Sequence, residues 1–175
     1  LIILDACRYD LFGEVYEDNP LPGSLDRRTS VQSGTPGFLA ENFSDGTFHD
    51  VVYVTGNPYV NTDLPEETFH AVESVWKDGW DDDRQTVTPE TMAERTLDIA
   101  EQYPDKRIIS HFLQPHAPFV GDVRLGERDT FAIREQALGD EAATQRHRTP
   151  FEMLEAGDAS HEAVWEAYRS NLEYA

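Results

Sequence analysis

Side chains that could bind a cation and an oxyanion stand at the end of the first apolar run of the sequence. Asp5 follows residues 1–4, and Arg8 comes three residues later. A carboxylate is a good ligand for a hard cation, and a guanidinium pairs with oxyanions. The segment is therefore a candidate for both roles. A purely structural alternative is that Asp5 caps the following helix and Arg8 pairs with Asp10.

A second candidate segment, residues 29–39, places hydroxyl groups at the start of a predicted helix. Pro36 is tolerated in a first helical turn, so Ser33 and Thr35 lie at or just before the helix start. Exposed N–H groups there attract anions, and a nearby hydroxyl could attack phosphorus or sulfur. Such a hydroxyl needs activation by a metal, because no base is adjacent in the sequence. A simple N-cap without chemistry is the alternative.

Polar residues next to prolines follow the other two apolar runs. Pro115 and Pro118 restrict the backbone around His116, which suits an imidazole that must face a ligand. Asn57 precedes Pro58 and could donate to an ester oxygen, although an Asn-Pro turn needs no function to explain it.

Three other features are expected to be structural. His111 lies inside an apolar run and is expected to pack within a strand. Cys7, the single cysteine, cannot form an internal disulfide and is expected to be a small packed residue. The acidic stretch 78–83 lacks the ligand spacing of a calcium loop and is expected to be a solvated turn.

The hydropathy pattern predicts the elements that position these residues. Apolar runs predict strands at residues 1–4, 51–54 and 107–112, and helical spacing predicts helices at 36–43, 88–103 and 161–175. Their alternation favours one α/β domain over 1–175, with a mainly parallel sheet flanked by helices. Residues 121–148 are expected to form a surface insertion or lid. Ligands of such folds bind beyond the carboxyl ends of the strands, where the candidate residues lie.

Composition excludes several classes of function. Asp and Glu number 34 against 14 Lys and Arg, which gives a net charge of -20 and argues against nucleic-acid binding. This acidity, with arginine preferred over lysine, is typical of halophilic archaeal proteins, and an acidic mesophilic protein is the alternative.

With no long apolar run and no signal peptide, we expect no membrane span and a cytoplasmic location. The chain begins within a predicted strand and ends within a predicted helix, so a fragment is expected.

Four segments, in order, resemble the sulfatase-like branch of the alkaline phosphatase superfamily in its haloarchaeal form. They are LDACRYD at 4–10, SGTP at 33–36, YVTGNP at 53–58 and QPHAP at 114–118. The resemblance implies an alkaline-phosphatase-like fold, incomplete at its C-terminus, and a divalent metal, Ca, Mg, Mn or Zn. It also implies that Asp5 and Thr35 bind the metal and that Thr35, with Ser33 as the reserve, is the nucleophile. Arg8, His116 and Asn57 would contact the substrate.

The sequence departs from that family in two respects. The family's later Asp-His-Gly segment, which supplies further metal ligands, is absent, so we expect the missing ligands beyond residue 175 and an inactive fragment. The formylglycine signature is also absent, which leaves phosphate and sulfate esters equally open. The expected function is a metal-dependent hydrolase of small-molecule sulfate or phosphate esters. A non-catalytic binding or regulatory domain and a phospho-group transferase remain the alternatives, and the oligomeric state is not predicted.

Overall fold

The computed structural model describes residues 1–125, 132–139 and 148–175. The described strands are β1 (Ile2–Asp5), β2 (Phe48–Thr55), β3 (Phe69–Ser74), β4 (Trp80–Asp81), β5 (Thr86–Val87) and β6 (Arg107–Pro115). The described helices are α1 (Tyr9–Asp18), α2 (Thr35–Phe43), α3 (Tyr59–Asp63), α4 (Val75–Asp78), α5 (Pro89–Gln102), α6 (Ala132–Ala137), α7 (Pro150–Ala156) and α8 (His161–Tyr174). A 3-10 turn, Glu66–Thr68, precedes β3. No helix within these described ranges is both long and apolar enough to cross a bilayer.

Four of the strands form a parallel sheet in the order β1-β6-β2-β3. The remaining two, β4 and β5, form a small antiparallel hairpin. This confirms the predicted α/β class with a mainly parallel sheet flanked by helices, and it is consistent with an alkaline-phosphatase-like fold. In a parallel sheet the carboxyl ends of all strands point in the same direction, so the residues after β1, β2 and β6 are brought together.

The sheet carries helices on both faces, which explains why residues 51–54 of the central strand β2 form a continuous apolar run rather than an alternating one. Val52 and Val54 of β2 pack on one side with Met92 of α5. Tyr53 points to the opposite side and packs with Leu39 of α2. The period of two along a strand therefore sends alternate residues of β2 into two separate cores.

A third core joins α8 to α1 and to the loop that follows β6. Leu11, Phe119 and Tyr168 are buried in it. Asn171 of α8 is fully buried and contacts this loop. Its side-chain Nδ2 donates to the carbonyl oxygens of Pro115 and His116, both at 3.1 Å. Helix α8 thus fixes the backbone on either side of the Pro115–His116 bond.

The helices predicted at 36–43, 88–103 and 161–175 are confirmed as α2, α5 and α8. Strands β2 and β6 are longer than the predicted runs, and β6 continues to Pro115, so Gln114 is a buried strand residue. The acidic stretch is partly a turn: Trp80 and Asp81 form β4, and the exposed residues Asp82 and Asp83 lie in the loop of the hairpin. Strand β3 and helix α7 were not predicted.

Much of the predicted insertion at 121–148 lies outside the described residues. Its described part includes α6, where Arg134 donates from Nε to the carbonyl oxygen of Trp76 at 3.0 Å. The guanidinium of Arg134 also lies over the ring of Trp80, 4.8 Å from its centroid. Helix α6 is therefore held against the segment that includes α4 and the β4-β5 hairpin.

Candidate functional site

The site is built around Asp5, the last residue of β1. Asp5 is paired with Pro115 of β6, and Thr55 at the end of β2 is paired with His111 of the same strand. The three strand ends therefore meet, as expected for a parallel sheet. The Asp5 side chain is only 13% exposed. A carboxylate with so little access to solvent needs hydrogen-bond donors from the protein.

The first of these donors is the hydroxyl of Thr35. Its Oγ1 lies 3.3 Å from Oδ1 and 3.2 Å from Oδ2 of Asp5. Thr35 opens α2, and the N-cap is Gly34, which makes no side-chain capping hydrogen bond. Thr35 is thus not the simple N-cap that was the alternative. The structure brings Asp5 and Thr35, thirty residues apart in sequence, into direct contact.

Asn57 is the second donor to Asp5. Its side-chain Nδ2 donates to Oδ2 of Asp5 at 2.9 Å, and its Oδ1 accepts from the backbone N–H of Tyr59 at 3.0 Å. Asn57 is 1% exposed, and Thr55 Oγ1 accepts from its backbone N–H at 2.8 Å. The sequence predicted that Asn57 contacts the substrate, and that contact stays a prediction. In the structure the buried side-chain amide of Asn57 contacts Asp5 and helps to orient it.

His111 also faces the carboxylate, with Nε2 3.8 Å from Oδ2 of Asp5. Its other ring nitrogen, Nδ1, is 3.0 Å from the hydroxyl of Tyr53. Burial lowers the pKa of His111 against the opposing effect of the Asp5 charge, so the imidazole is neutral at neutral pH. The nearby carboxylate favours the tautomer with the hydrogen on Nε2, in which Tyr53 donates to Nδ1.

The remaining predicted residues line a cleft of about 630 Å³ that opens onto Asp5 and Thr35. Ser33, Arg8 and His116 all lie on its walls. The backbone N–H of His116 donates to the carbonyl oxygen of Asp5 at 3.1 Å. Its ring Nδ1 lies 2.6 Å from the carbonyl oxygen of Ala117, which can only accept, so Nδ1 carries the hydrogen.

Arg8 is in the cleft wall but already has a partner. Its Nε donates to Oδ1 of Asp10 at 2.9 Å, and this hydrogen bond is the largest cause lowering the pKa of Asp10 to about 2. The pairing of Arg8 with Asp10, one part of the structural alternative, is therefore present. The other part is not, since α1 begins after Arg8 without a side-chain cap. Both members of the pair are exposed, so an anionic ligand can compete for the guanidinium.

Cys7 also lines the cleft, and its surroundings make it a poor nucleophile. Burial raises the pKa of its thiol to about 11. At neutral pH the thiolate is therefore scarce, and the thiolate is the reactive form. This leaves the hydroxyls as the nucleophile candidates among these residues.

The donor atoms at the centre of the cleft fit part of a cation site. The carboxylate of Asp5 and the hydroxyl of Thr35 are oxygen ligands of the kind that Mg²⁺, Ca²⁺ and Mn²⁺ prefer. Among residues 1–125, 132–139 and 148–175 there is no cluster of three or more His, Cys, Asp or Glu that could hold a metal. Two oxygen donors alone make a weak site, so any tight binding requires ligands in addition to these.

Three residues outside the predicted site support Asp5 and the loop of His116: His111, Tyr53 and Asn171. The sequence predicts only that His111 packs within a strand, that Tyr53 lies in a strand and that Asn171 lies in a helix. A polar residue inside a buried apolar run was the available signal for His111, because such a residue needs a partner. The contacts of Tyr53 and Asn171 span 58 and 56 residues, and no local pattern shows them.

Comparison of the chain with protein-family models, with curated proteins and with solved structures finds no match. The resemblance to the sulfatase-like family therefore depends on the four segments of the sequence alone.

Proposed function

We propose that this chain carries the nucleophile of a metal-dependent hydrolase that cleaves phosphate or sulfate esters of small molecules. The observation that carries the proposal is the contact between the hydroxyl of Thr35 and the carboxylate of Asp5, at 3.2 to 3.3 Å. A nucleophile held within hydrogen-bond reach of a group that can take its proton is the arrangement that covalent catalysis requires.

In the proposed reaction, the Oγ1 of Thr35 attacks the phosphorus or sulfur of the ester. The hydroxyl proton passes to Asp5, and the bond from phosphorus or sulfur to the alcohol oxygen breaks. The leaving oxygen takes the proton that Asp5 received, relayed by water, and departs as the alcohol, which leaves Asp5 ionised again. One water then attacks the phosphorus or sulfur of the covalent Thr35 ester, the bond to Oγ1 breaks, and a proton of that water restores the Thr35 hydroxyl, so one ester and one water give one alcohol and one inorganic anion.

Three groups would bind the oxyanion during this reaction. The first-turn N–H groups of α2 point away from the helix and favour negative charge. Arg8 and His116 line the same cleft from the ends of β1 and β6. Charge that develops on the equatorial oxygens in the transition state would be stabilised by such fixed donors.

Asp5 and Thr35 would hold the divalent cation, and a bound cation supplies a lower pKa for an oxygen that it touches. Asn57 donates to Oδ2 of Asp5 and His111 faces the same oxygen, and these contacts limit the directions that the carboxylate can take. Both the presence of the cation and its identity belong to the proposal.

Turnover of an aryl phosphate and an aryl sulfate by the full-length protein, with added Mg²⁺, Ca²⁺, Mn²⁺ or Zn²⁺, tests the proposal. We expect Thr35→Ala to abolish turnover, while Ser33→Ala retains most of it, because Thr35 contacts Asp5 and Ser33 only lines the cleft. Full activity of Thr35→Ala with loss of activity in Ser33→Ala would show that Ser33 is the nucleophile.

The rival function is a binding or regulatory domain without catalysis, and it is favoured by the incomplete set of metal ligands among the residues that the structure describes. Calorimetric titration of the full-length protein with the same four cations separates the two. Absence of binding at millimolar metal favours the rival, whereas binding that is lost in Asp5→Asn favours the hydrolase. A phospho-group transferase would differ from both by forming a product that carries an added acceptor alcohol.

A further inference from the structure

A second cavity, of about 350 Å³, lies beside the cleft and is lined mostly by apolar side chains of α7, α8 and the loop after β6. Phe119, Trp165 and Tyr168 supply its aromatic walls, and Leu154 and Phe151 of α7 complete it. The ring of Tyr168 packs at 5.9 Å from that of Phe119 and at 6.0 Å from that of Trp165, centroid to centroid. The size is that of a site for a small organic group.

The cavity and the cleft share part of their walls. Ala6, Arg8 and His116 line both. Ala6 and Arg8 follow the end of β1, and His116 follows the end of β6. The hydroxyl of Tyr168 donates to the carbonyl oxygen of Ala6 and accepts from the backbone N–H of Arg8 at 3.1 Å, which fixes this boundary. The apolar cavity therefore adjoins the cleft that contains Asp5 and Thr35.

We propose that this cavity holds the alcohol part of the ester and that this alcohol carries a flat apolar ring. The inference rests on the proposed function, which places the phosphoryl or sulfuryl group at Thr35. The alcohol oxygen would then lie near the shared wall, with its ring directed between α7 and α8. The ring would contact Trp165 and Phe119, whose faces and edges suit aromatic partners.

The chemistry of the walls favours a ring over a sugar. Among the described residues no carboxylate lines the cavity, although the chain has 34 acidic residues, and the charged or imidazole side chains in its lining are those of Arg8, His116 and His161. The hydroxyl of Tyr168 is already committed to two backbone partners. A sugar would lose more hydrogen bonds to water on entering such a cavity than these few polar groups can replace, which costs free energy. An apolar ring gains free energy there, because its surface leaves water.

The wall residue best suited to a test is Phe151, because it is 57% exposed and its replacement should not unfold the protein. Leu97 on α5 is 68% exposed, does not line the cavity and provides a matched control. We expect calorimetry to detect binding of 2-naphthol to the chain, and NMR to show a shift of the Trp165 indole N–H. Phe151→Ser should weaken the affinity about fivefold, equivalent to about 1 kcal/mol, and Leu97→Ser should leave it within about twofold.

Two further probes separate failure of this inference from failure of the proposed function. If 2-naphthol does not bind, or binds equally to Phe151→Ser, while 2-naphthyl phosphate and glycerol phosphate are turned over equally, the ring site is wrong and the hydrolase stands. If 2-naphthol binds as expected but the full-length protein turns over neither ester with any of the four cations, the hydrolase is wrong and the cavity is left as a ring-binding site alone. Preferential turnover of the naphthyl ester, reduced by Phe151→Ser, supports both.

Discussion

At the scale of single residues, the site is an acid held by three polar neighbours. Thr35 and Asn57 donate to the Asp5 carboxylate, and His111 faces it at 3.8 Å. These contacts come from α2, from the end of β2 and from β6. The carboxylate is thus fixed in direction before any ligand arrives, which is the condition for strong electrostatic effects in a site.

Asn57→Ala should lower the free energy of unfolding by about 1 to 3 kcal/mol, because it removes a buried donor from a poorly exposed carboxylate. Urea denaturation measures the change. Asn42→Ala is the control: the side chain of Asn42 is exposed and donates to the carbonyl oxygen of Phe38, so its loss should change stability by less than about 0.5 kcal/mol. Equal effects of the two substitutions would show that Asn57 does not support Asp5.

The thiol of Cys7 should react slowly with iodoacetamide near neutral pH. Burial raises its pKa from 9.0 to about 11, so at pH 8 its thiolate fraction should be about 100-fold below that of an unperturbed cysteine. The alkylation rate, followed by mass spectrometry, should keep rising up to about pH 11. A rate that levels off below pH 9 would mean that the thiolate is accessible and that Cys7 is a competing nucleophile.

At the scale of elements, the strands of the parallel sheet show which parts of the fold and of the site could be predicted from the sequence and which could not. The residues that end β1 and β2 and follow β6 were identifiable because these strands contain continuous apolar stretches, and β1 does so although it is an edge strand with an exposed Ile2. Strand β3, at the other edge, was not predicted because the polar residues His70, Glu73 and Ser74 interrupt its apolar pattern. The support given to the site by α8 could not be predicted, since it depends on packing across the chain.

Helix α8 positions the loop that contains His116, and its close approach can be tested at Gly121. A Cβ at Gly121 would lie 2.4 Å from the carbonyl oxygen of Ser170, so Gly121→Ala forces α8 away from the loop. We expect a loss of about 2 kcal/mol or more in thermal or urea unfolding, as for other overpacked sites.

Gly13→Ala is the matched control for Gly121→Ala. No atom lies within 4 Å of a Cβ at Gly13, which is inside α1. Alanine there should stabilise the protein by about 0.5 to 1 kcal/mol, because glycine costs more conformational entropy in a helix. If Gly121→Ala were as stable as Gly13→Ala, the described packing of α8 on this loop would be wrong.

At the scale of the whole molecule, the net charge of -20 sets the conditions under which the fold is stable. Acidic side chains repel one another in dilute buffer, where the screening length is about 10 Å at 0.1 M salt. At 1 M salt this length falls to about 3 Å. The melting temperature should therefore rise steeply between these concentrations, as differential scanning calorimetry would show. A melting temperature independent of salt would remove the basis for calling the chain halophilic.

The negative net charge of the protein also affects the site, because it repels an anionic ester. The cleft itself must therefore supply the positive charge that attracts the ester. Among the described residues, the cleft contains one carboxylate, Asp5, and one guanidinium, Arg8, together with the start of α2. A cation held by Asp5 and Thr35 would add positive charge where the ester must bind. The proposed hydrolase therefore depends on a metal to supply positive charge in the cleft.

The most direct test of the account is to ask whether Thr35 becomes covalently modified. The full-length protein is incubated with 2-naphthyl phosphate or sulfate and a divalent cation, quenched in acid and digested, and the peptide that contains both Ser33 and Thr35 is sequenced by mass spectrometry. We predict a phosphoryl or sulfuryl group on Thr35 that is absent in Thr35→Ala and in Asp5→Asn. Modification of Ser33 instead, or no modification with any of the four cations, would contradict the proposed role of Thr35.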